Sequence, residues 1–116
     1  MKYLAMIYQD DAAEAAKGPE AMQQMMGDYY KFTTAIREAG VYKSGEALHP
    51  SATATTVRVR DGKVQTTDGP FAETKEQLGG YYLIECKDLD EAIHWASQIP
   101  HASECAVEIR PVLVFG

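Results

Sequence analysis

Lys2-Tyr3-Leu4-Ala5-Met6-Ile7-Tyr8 sets Tyr3, Ala5 and Ile7 in alternation with Leu4, Met6 and Tyr8. Successive side chains of a strand point to opposite faces of its sheet, so this run predicts a strand that is apolar on both faces. Both faces then need cover. Past it, Gln9 to Gly18 is a loop with room for a helical turn between Asp11 and Lys17. Pro19 suits the first position of a helix, and Glu20 sits favourably near its positive end. Met22, Met25, Met26, Tyr29, Phe32, Ile36 and Ala39 follow at helical spacing. Gly40 can take the left-handed conformation that stops the helix, which is predicted over Pro19 to Ala39.

The rest of the chain continues the pattern. Val41 to Leu48 is a weaker strand. Thr55 to Arg60 and Lys63 to Thr67 flank Asp61-Gly62, a pair that fits the positive φ angles of a tight hairpin turn. Asp68-Gly69-Pro70 marks another turn. Gly79 to Cys86 is a second central strand, with Tyr81 and Leu83 on one face and Tyr82 and Ile84 on the other. Asp88 and Glu91 form a capping box for a second helix, whose expected buried stripe is Leu89, Ala92, Ile93 and Ala96. Ala106 to Phe115 is a last strand, and Pro111, which cannot donate to a ladder, puts it at an edge. The order is β-α-β, an inserted hairpin, then β-α-β: an α+β, ferredoxin-like split βαβ sandwich in one domain, residues 1–116. Two helices cover only one sheet face. Leu4, Met6 and Tyr8, or else their alternates, need cover on the other. A second copy of the sheet is the simplest cover, so a homodimer with sheets packed face to face is expected.

Composition narrows the function classes. The 116 residues are 46% hydrophobic and 24% charged, with a net charge of -6; this is a globular profile. Eleven basic residues face 17 acidic ones with no basic run, so nucleic acid and anionic membranes are poor partners. No signal peptide is recognisable after Met1, and no apolar stretch approaches the length needed to span a bilayer. Cys86 and Cys105 are expected to be reduced, buried thiols in a cytoplasmic protein.

The run Thr67-Asp68-Gly69-Pro70-Phe71-Ala72-Glu73-Thr74-Lys75-Glu76-Gln77-Leu78-Gly79-Gly80-Tyr81-Tyr82 is dense in turn formers, charge and aromatics. Loops held by a rigid scaffold are where sites tend to sit. In one reading Asp68 accepts backbone N–H bonds in its turn, Phe71 plugs the core edge, and Glu73, Lys75 and Glu76 are solvated. In the other, Asp68 is a partly buried catalytic carboxylate that takes a proton from a small acid or carbonyl compound. Lys75 or an arginine would then hold the negative charge. Arg58 and Arg110 are either strand salt-bridge residues or an anion clamp, the second if they converge on Asp68. Tyr8 is a candidate hydroxyl donor, and His49, beside Pro50, a candidate pocket residue. His94 and His101 are expected to be solvated. No His, Cys or carboxylate set has metal-ligand spacing, and no phosphate loop or nucleophile elbow is present, so no cofactor is expected.

The Thr67 to Tyr82 run resembles the DGPF-domain branch of the YCII-related proteins. So do Lys2 to Tyr8, Thr53-Ala54-Thr55-Thr56-Val57-Arg58 and Val107-Glu108-Ile109-Arg110-Pro111. The resemblance covers nearly the whole chain and implies a dimeric α+β barrel. The wider group resembles small isomerases and monooxygenases of the same fold, which favours cofactor-independent proton transfer on a small anionic or carbonyl compound. Genes of the DGPF branch often neighbour extracytoplasmic-function sigma factors, which implies the alternative: a non-catalytic module docking on such a factor. Some YCII members are proposed to use a His in the first helix with an Asp after the second. The first helix here has no His, and the second is followed by Pro100-His101-Ala102, so that pair is not carried over.

Overall fold

The computed structural model of the chain describes residues 1–115. Strand β1 (Lys2–Asp10) leads into a short helix α1 (Asp11–Ala15) and the long helix α2 (Pro19–Glu38). Strand β2 (Tyr42–Ala47), a 3₁₀ turn (Ser51–Thr53) and the hairpin strands β3 (Thr55–Arg60) and β4 (Lys63–Asp68) follow. Strand β5 (Glu76–Glu85), helix α3 (Leu89–Ala96), a second 3₁₀ turn (Pro100–Ala102) and strand β6 (Ala106–Pro111) complete the order. The main sheet runs β2-β5-β1-β6, all pairs antiparallel, and β3-β4 form a separate two-stranded sheet. The result is a mixed α+β architecture. None of the described helices is long and apolar enough to cross a membrane.

Local chemistry explains the elements. Asp10 ends β1 and caps α1, its carboxylate accepting from the Ala12 and Ala13 amides at 3.0 and 3.2 Å. The turn expected between Asp11 and Lys17 is therefore a real helix, and β1 runs on to meet it. Pro19 opens α2, and Gly40 closes it at φ 75°. In the hairpin Asp61 and Gly62 both have positive φ, 51° and 73°, as the tight turn requires. Asp88 accepts from the Glu91 amide at 2.9 Å while Glu91 accepts from the Lys87 amide, a capping box closed one residue early. Pro111 lies in β6, an edge strand. Strand β5 begins at Glu76 rather than Gly79, extended by pairing with Gln9 and Asp10 of β1.

The core lies between the helices and one sheet face: Tyr3, Ala5 and Ile7 of β1, Tyr82 and Ile84 of β5, Phe32 and Ile36 of α2, and Ala92 and Ala96 of α3. Cys86 is buried there as a free thiol, and Cys105 is half-buried and also free. The expected stripe of α3 needs correction. Leu89 and Ile93 are 52% and 49% exposed, and Trp95 packs on the core in their place. A helix of 8 residues turns a narrow face inward. Small Ala92 and Ala96 let it approach the sheet, with the large indole beside them. On α2, Met22 and Met26 are exposed, so its first two turns extend beyond the core.

Candidate functional site

A chain of side chains joins three elements that are distant in sequence. The 3₁₀ turn Pro100–Ala102 is held by its own backbone: Cys105 and Glu104 amides both donate to the His101 carbonyl, at 2.8 and 3.1 Å. This turn drives the imidazole of His101 inward until only 6% of the residue is exposed. The expectation that His101 is solvated is therefore wrong. Its Nδ1 lies 2.6 Å from the Tyr29 hydroxyl of α2, and its Nε2 meets Oε1 of Glu14 on α1. Lys17 donates to the same Glu14 oxygen at 3.1 Å and reaches Glu104 at 2.8 Å.

The protonation pattern follows. Burial pushes the Glu14 carboxyl up, but hydrogen bonds from His101 and Lys17 outweigh it, and the net value is lowered. An ionised carboxylate only accepts, so the Nε2 that faces Glu14 carries a proton. In the neutral tautomer that follows, Nδ1 is an acceptor to which the Tyr29 hydroxyl can donate. Burial pushes the Tyr29 phenol well above its ordinary value, so it holds its proton until a base takes it. Among the described residues no buried side-chain polar atom lacks a partner. The donor atoms of Glu14, His101 and Glu104 lie within 4.8 Å of one another, a spacing that suits a metal. Lys17 already supplies positive charge to both carboxylates, and an ion would have to displace it.

The relay opens on two hollows that share Tyr29, Thr33 and His101. One, about 380 Å³, lies between α2 and the β2–β5 end of the sheet and takes in Arg37, Tyr42 and Tyr82. The other, about 750 Å³, is bounded by Met22, Met25, Met26 and Tyr30, with Asp11 and Glu14 at its rim. Both volumes suit small-molecule sites. The tyrosine-lined hollow is rigid. Thr33 Oγ1 and the Tyr82 hydroxyl are 2.7 Å apart, and the Tyr82 ring stands edge-on to Phe32 and Tyr42 at 5.2 and 6.4 Å. Gly45 is required beside it, because a Cβ there would lie 2.7 Å from the Tyr82 ring.

The residues singled out from sequence lie elsewhere. Tyr8, His49 and Phe71 do come together, lining a hollow of about 690 Å³ with Pro50, Pro70 and Leu78. Phe71 is 80% exposed, and the Arg58 guanidinium sits 5.6 Å from its ring centroid. Lys75 is exposed, 4.0 Å from Asp10. Asp68 is exposed at the end of β4, opposite Thr55. Arg110 is exposed on β6, opposite Leu4. Arg58 and Arg110 belong to different sheets, and neither they nor Asp68 line the hollow that holds Tyr8. The relay residues Glu14, Tyr29 and His101 carried no mark in the sequence beyond being titratable. Their contacts span separations of 87 and 72 residues.

The chain is a small α+β scaffold with a buried polar relay facing two hollows. Comparison with known proteins gives its family. The model of the YCII-related domain matches residues 1–116, and the chain belongs to that family. It is similar to an uncharacterized protein of Rhizobium meliloti (strain 1021), with 37% identity over 117 residues, covering 99% of this chain and 94% of the relative.

Proposed function

We propose that the protein binds a small, largely apolar compound beside Tyr29 and moves a proton on it through Tyr29, His101 and Glu14, with no resident cofactor. The observation that carries this is the double engagement of buried His101, Nδ1 to Tyr29 and Nε2 to Glu14. The ligand's acidic C–H or O–H proton passes to the Tyr29 oxygen as the Tyr29 proton passes to Nδ1. The raised Tyr29 phenol disfavours a free phenolate, so the two transfers are coupled. The imidazolium that forms is held by ionised Glu14. Return of the proton to a different atom of the ligand completes an isomerisation, and return to the same atom an exchange. Positioned acid–base groups contribute about 10²–10⁴-fold. The test follows carbon–hydrogen exchange of small ketones and enolisable acids in D₂O by NMR. Wild type should accelerate exchange of one class, and Tyr29→Phe should lose about 100-fold of that rate. Equal rates for the two proteins refute the relay. Within the family, the Asp68-Gly69-Pro70-Phe71 motif assigns the chain to the DGPF branch in this reading.

We also propose that two copies pair through the sheet face turned away from the helices, in the manner of a ferredoxin-like dimer. Leu4, Met6, Tyr8, Tyr81 and Leu83 lie on that face, half-buried and with no helix over them. The molecule is only 18 Å thick, room for a sheet and one helical layer. Its radius of gyration of 16.1 Å exceeds the roughly 13 Å of a compact chain this long, and the exposed Val57, Val59 and Val64 lie on the separate hairpin. Glu108 and Arg110 alternate along β6 on the same outer face, so a two-fold axis can set each beside its opposite. Sedimentation equilibrium should give a dimer for wild type and a monomer for Leu83→Glu; a monomeric wild type rules the pairing out.

A further inference from the structure

Tyr29, Thr33 and Arg37 stand at positions i, i+4 and i+8 of α2, so they form one stripe along the helix. All three line the 380 Å³ hollow. Arg37 is in the last turn, where a cation commonly serves the helix carbonyls. Its guanidinium instead lies over the Tyr42 ring, 4.3 Å from the centroid. Such stacking holds the planar group by its face and leaves the in-plane N–H donors free. Glu46 borders the same hollow, yet Arg37 makes no ion pair with it or with any other described residue. Arg37 is the one arginine or lysine among the described residues that line this hollow, and Thr33, Tyr42, Tyr82 and Ile7 line it as well.

We infer that Arg37 seats the carboxylate of an elongated monoanion whose aromatic or aliphatic body lies along the tyrosine wall and whose far end reaches Tyr29. This rests on the relay proposed above and names the class of compound it serves. Eight residues of helix separate the two anchoring positions by about 12 Å, the span of a ring or short chain plus a carboxylate once both side chains reach in. Planar guanidinium matches a carboxylate with two parallel bonds. Asp11 and Glu14 line the methionine-lined hollow, which has no arginine or lysine among its described lining residues, whereas the Arg37 hollow has one guanidinium and the single carboxylate of Glu46. The sequence pointed to Arg58 and Arg110 for this task. Arg37 is hidden from sequence reading because its neighbour in space, Tyr42, follows the helix end, and nothing local marks the stacking.

The test measures binding of phenylacetate, 3-phenylpropanoate, 4-phenylbutanoate and 2-naphthylacetate, each against its neutral amide, by isothermal titration calorimetry. Wild type should prefer at least one carboxylate over its amide by about tenfold or more. Arg37→Gln should abolish that preference and Arg37→Lys keep part of it. No carboxylate preference across the series, or a preference that survives Arg37→Gln, overturns the inference. Tyr29→Phe separates the two readings. If it leaves the carboxylate preference intact but abolishes proton exchange, both stand. If Arg37→Gln removes the preference while Tyr29→Phe leaves exchange unchanged, the anion seat stands and the relay falls. The converse pattern leaves the relay standing without the seat.

Discussion

Replacing Glu14 with alanine removes the carboxylate from the buried end of the relay. The His101 Nε2–H then faces space that water enters poorly, since His101 is only 6% exposed. An unsatisfied buried donor costs about 1–3 kcal/mol. Lys17 keeps Glu104 at 2.8 Å, so its lost contact adds less than about 1 kcal/mol. The expected loss is about 2–3 kcal/mol, near 10 °C in Tm for a domain of this size. Urea unfolding followed by the fluorescence of Trp95, which packs on the core, measures it. The matched control is Glu104→Ala, whose side chain is 42% exposed and which should cost less than about 1 kcal/mol. The pH dependence gives a second check. The Glu14 carboxyl is held below its ordinary 4.5 in the folded chain. A lowered folded value means that ionised Glu14 stabilises the fold above the unfolded value, and that this contribution is lost as pH falls through the folded value. The gap between wild type and Glu14→Ala should thus be full at neutral pH and narrow progressively below 4.5. If Glu14→Ala costs no more than Glu104→Ala, or if the gap is the same at both ends of that range, the buried relay is refuted.

Gly45→Ala should destabilise by about 1–3 kcal/mol, because its Cβ would press on the Tyr82 ring and on the Tyr81 carbonyl; denaturant unfolding measures this, and a neutral result contradicts the packing of the hollow. Asp88→Ala should cost about 1 kcal/mol through loss of the α3 cap, seen in the same assay and restored largely by Asn. Ile36→Ala, at a fully buried position, should cost about 2–5 kcal/mol. In a thiol-reactivity assay with a disulfide reagent at neutral pH, Cys86 should react only on unfolding. It is 2% exposed, and burial pushes its thiol up. Cys105, raised first by its hydrogen bond with Glu76 and also by burial, should react slowly but before Cys86; the reverse order would contradict the assigned burial.

Much of the scaffold is legible residue by residue. The alternation in Lys2 to Tyr8 appears as β1, with Tyr3, Ala5 and Ile7 inward. Asp61-Gly62 makes the hairpin turn, Asp88 caps α3, and Pro111 lies on an edge strand. Each of these is set by a backbone preference or a short-range hydrogen bond that acts within a few residues. The errors lie where a choice depends on what packs alongside. Leu89 and Ile93 have helical spacing suited to a buried face, yet Trp95 takes that place beside Ala92 and Ala96. His101 looks like a loop residue after Pro100, yet it is buried by the turn that carries it.

The sequence alone determined the order of the main strands and helices and the turns and caps between them, because those are consequences of local geometry. Several strand ends did not follow from it: β1 and β5 run longer than expected, and β6 stops at Pro111 rather than Phe115. Tertiary structure alone decided the candidate site. Glu14, Tyr29 and His101 meet only after α1, α2 and the Pro100–Ala102 turn have docked on one sheet. The hydrogen bonds that fix the tautomer of His101 depend on distances across the fold, which no spacing along the chain encodes.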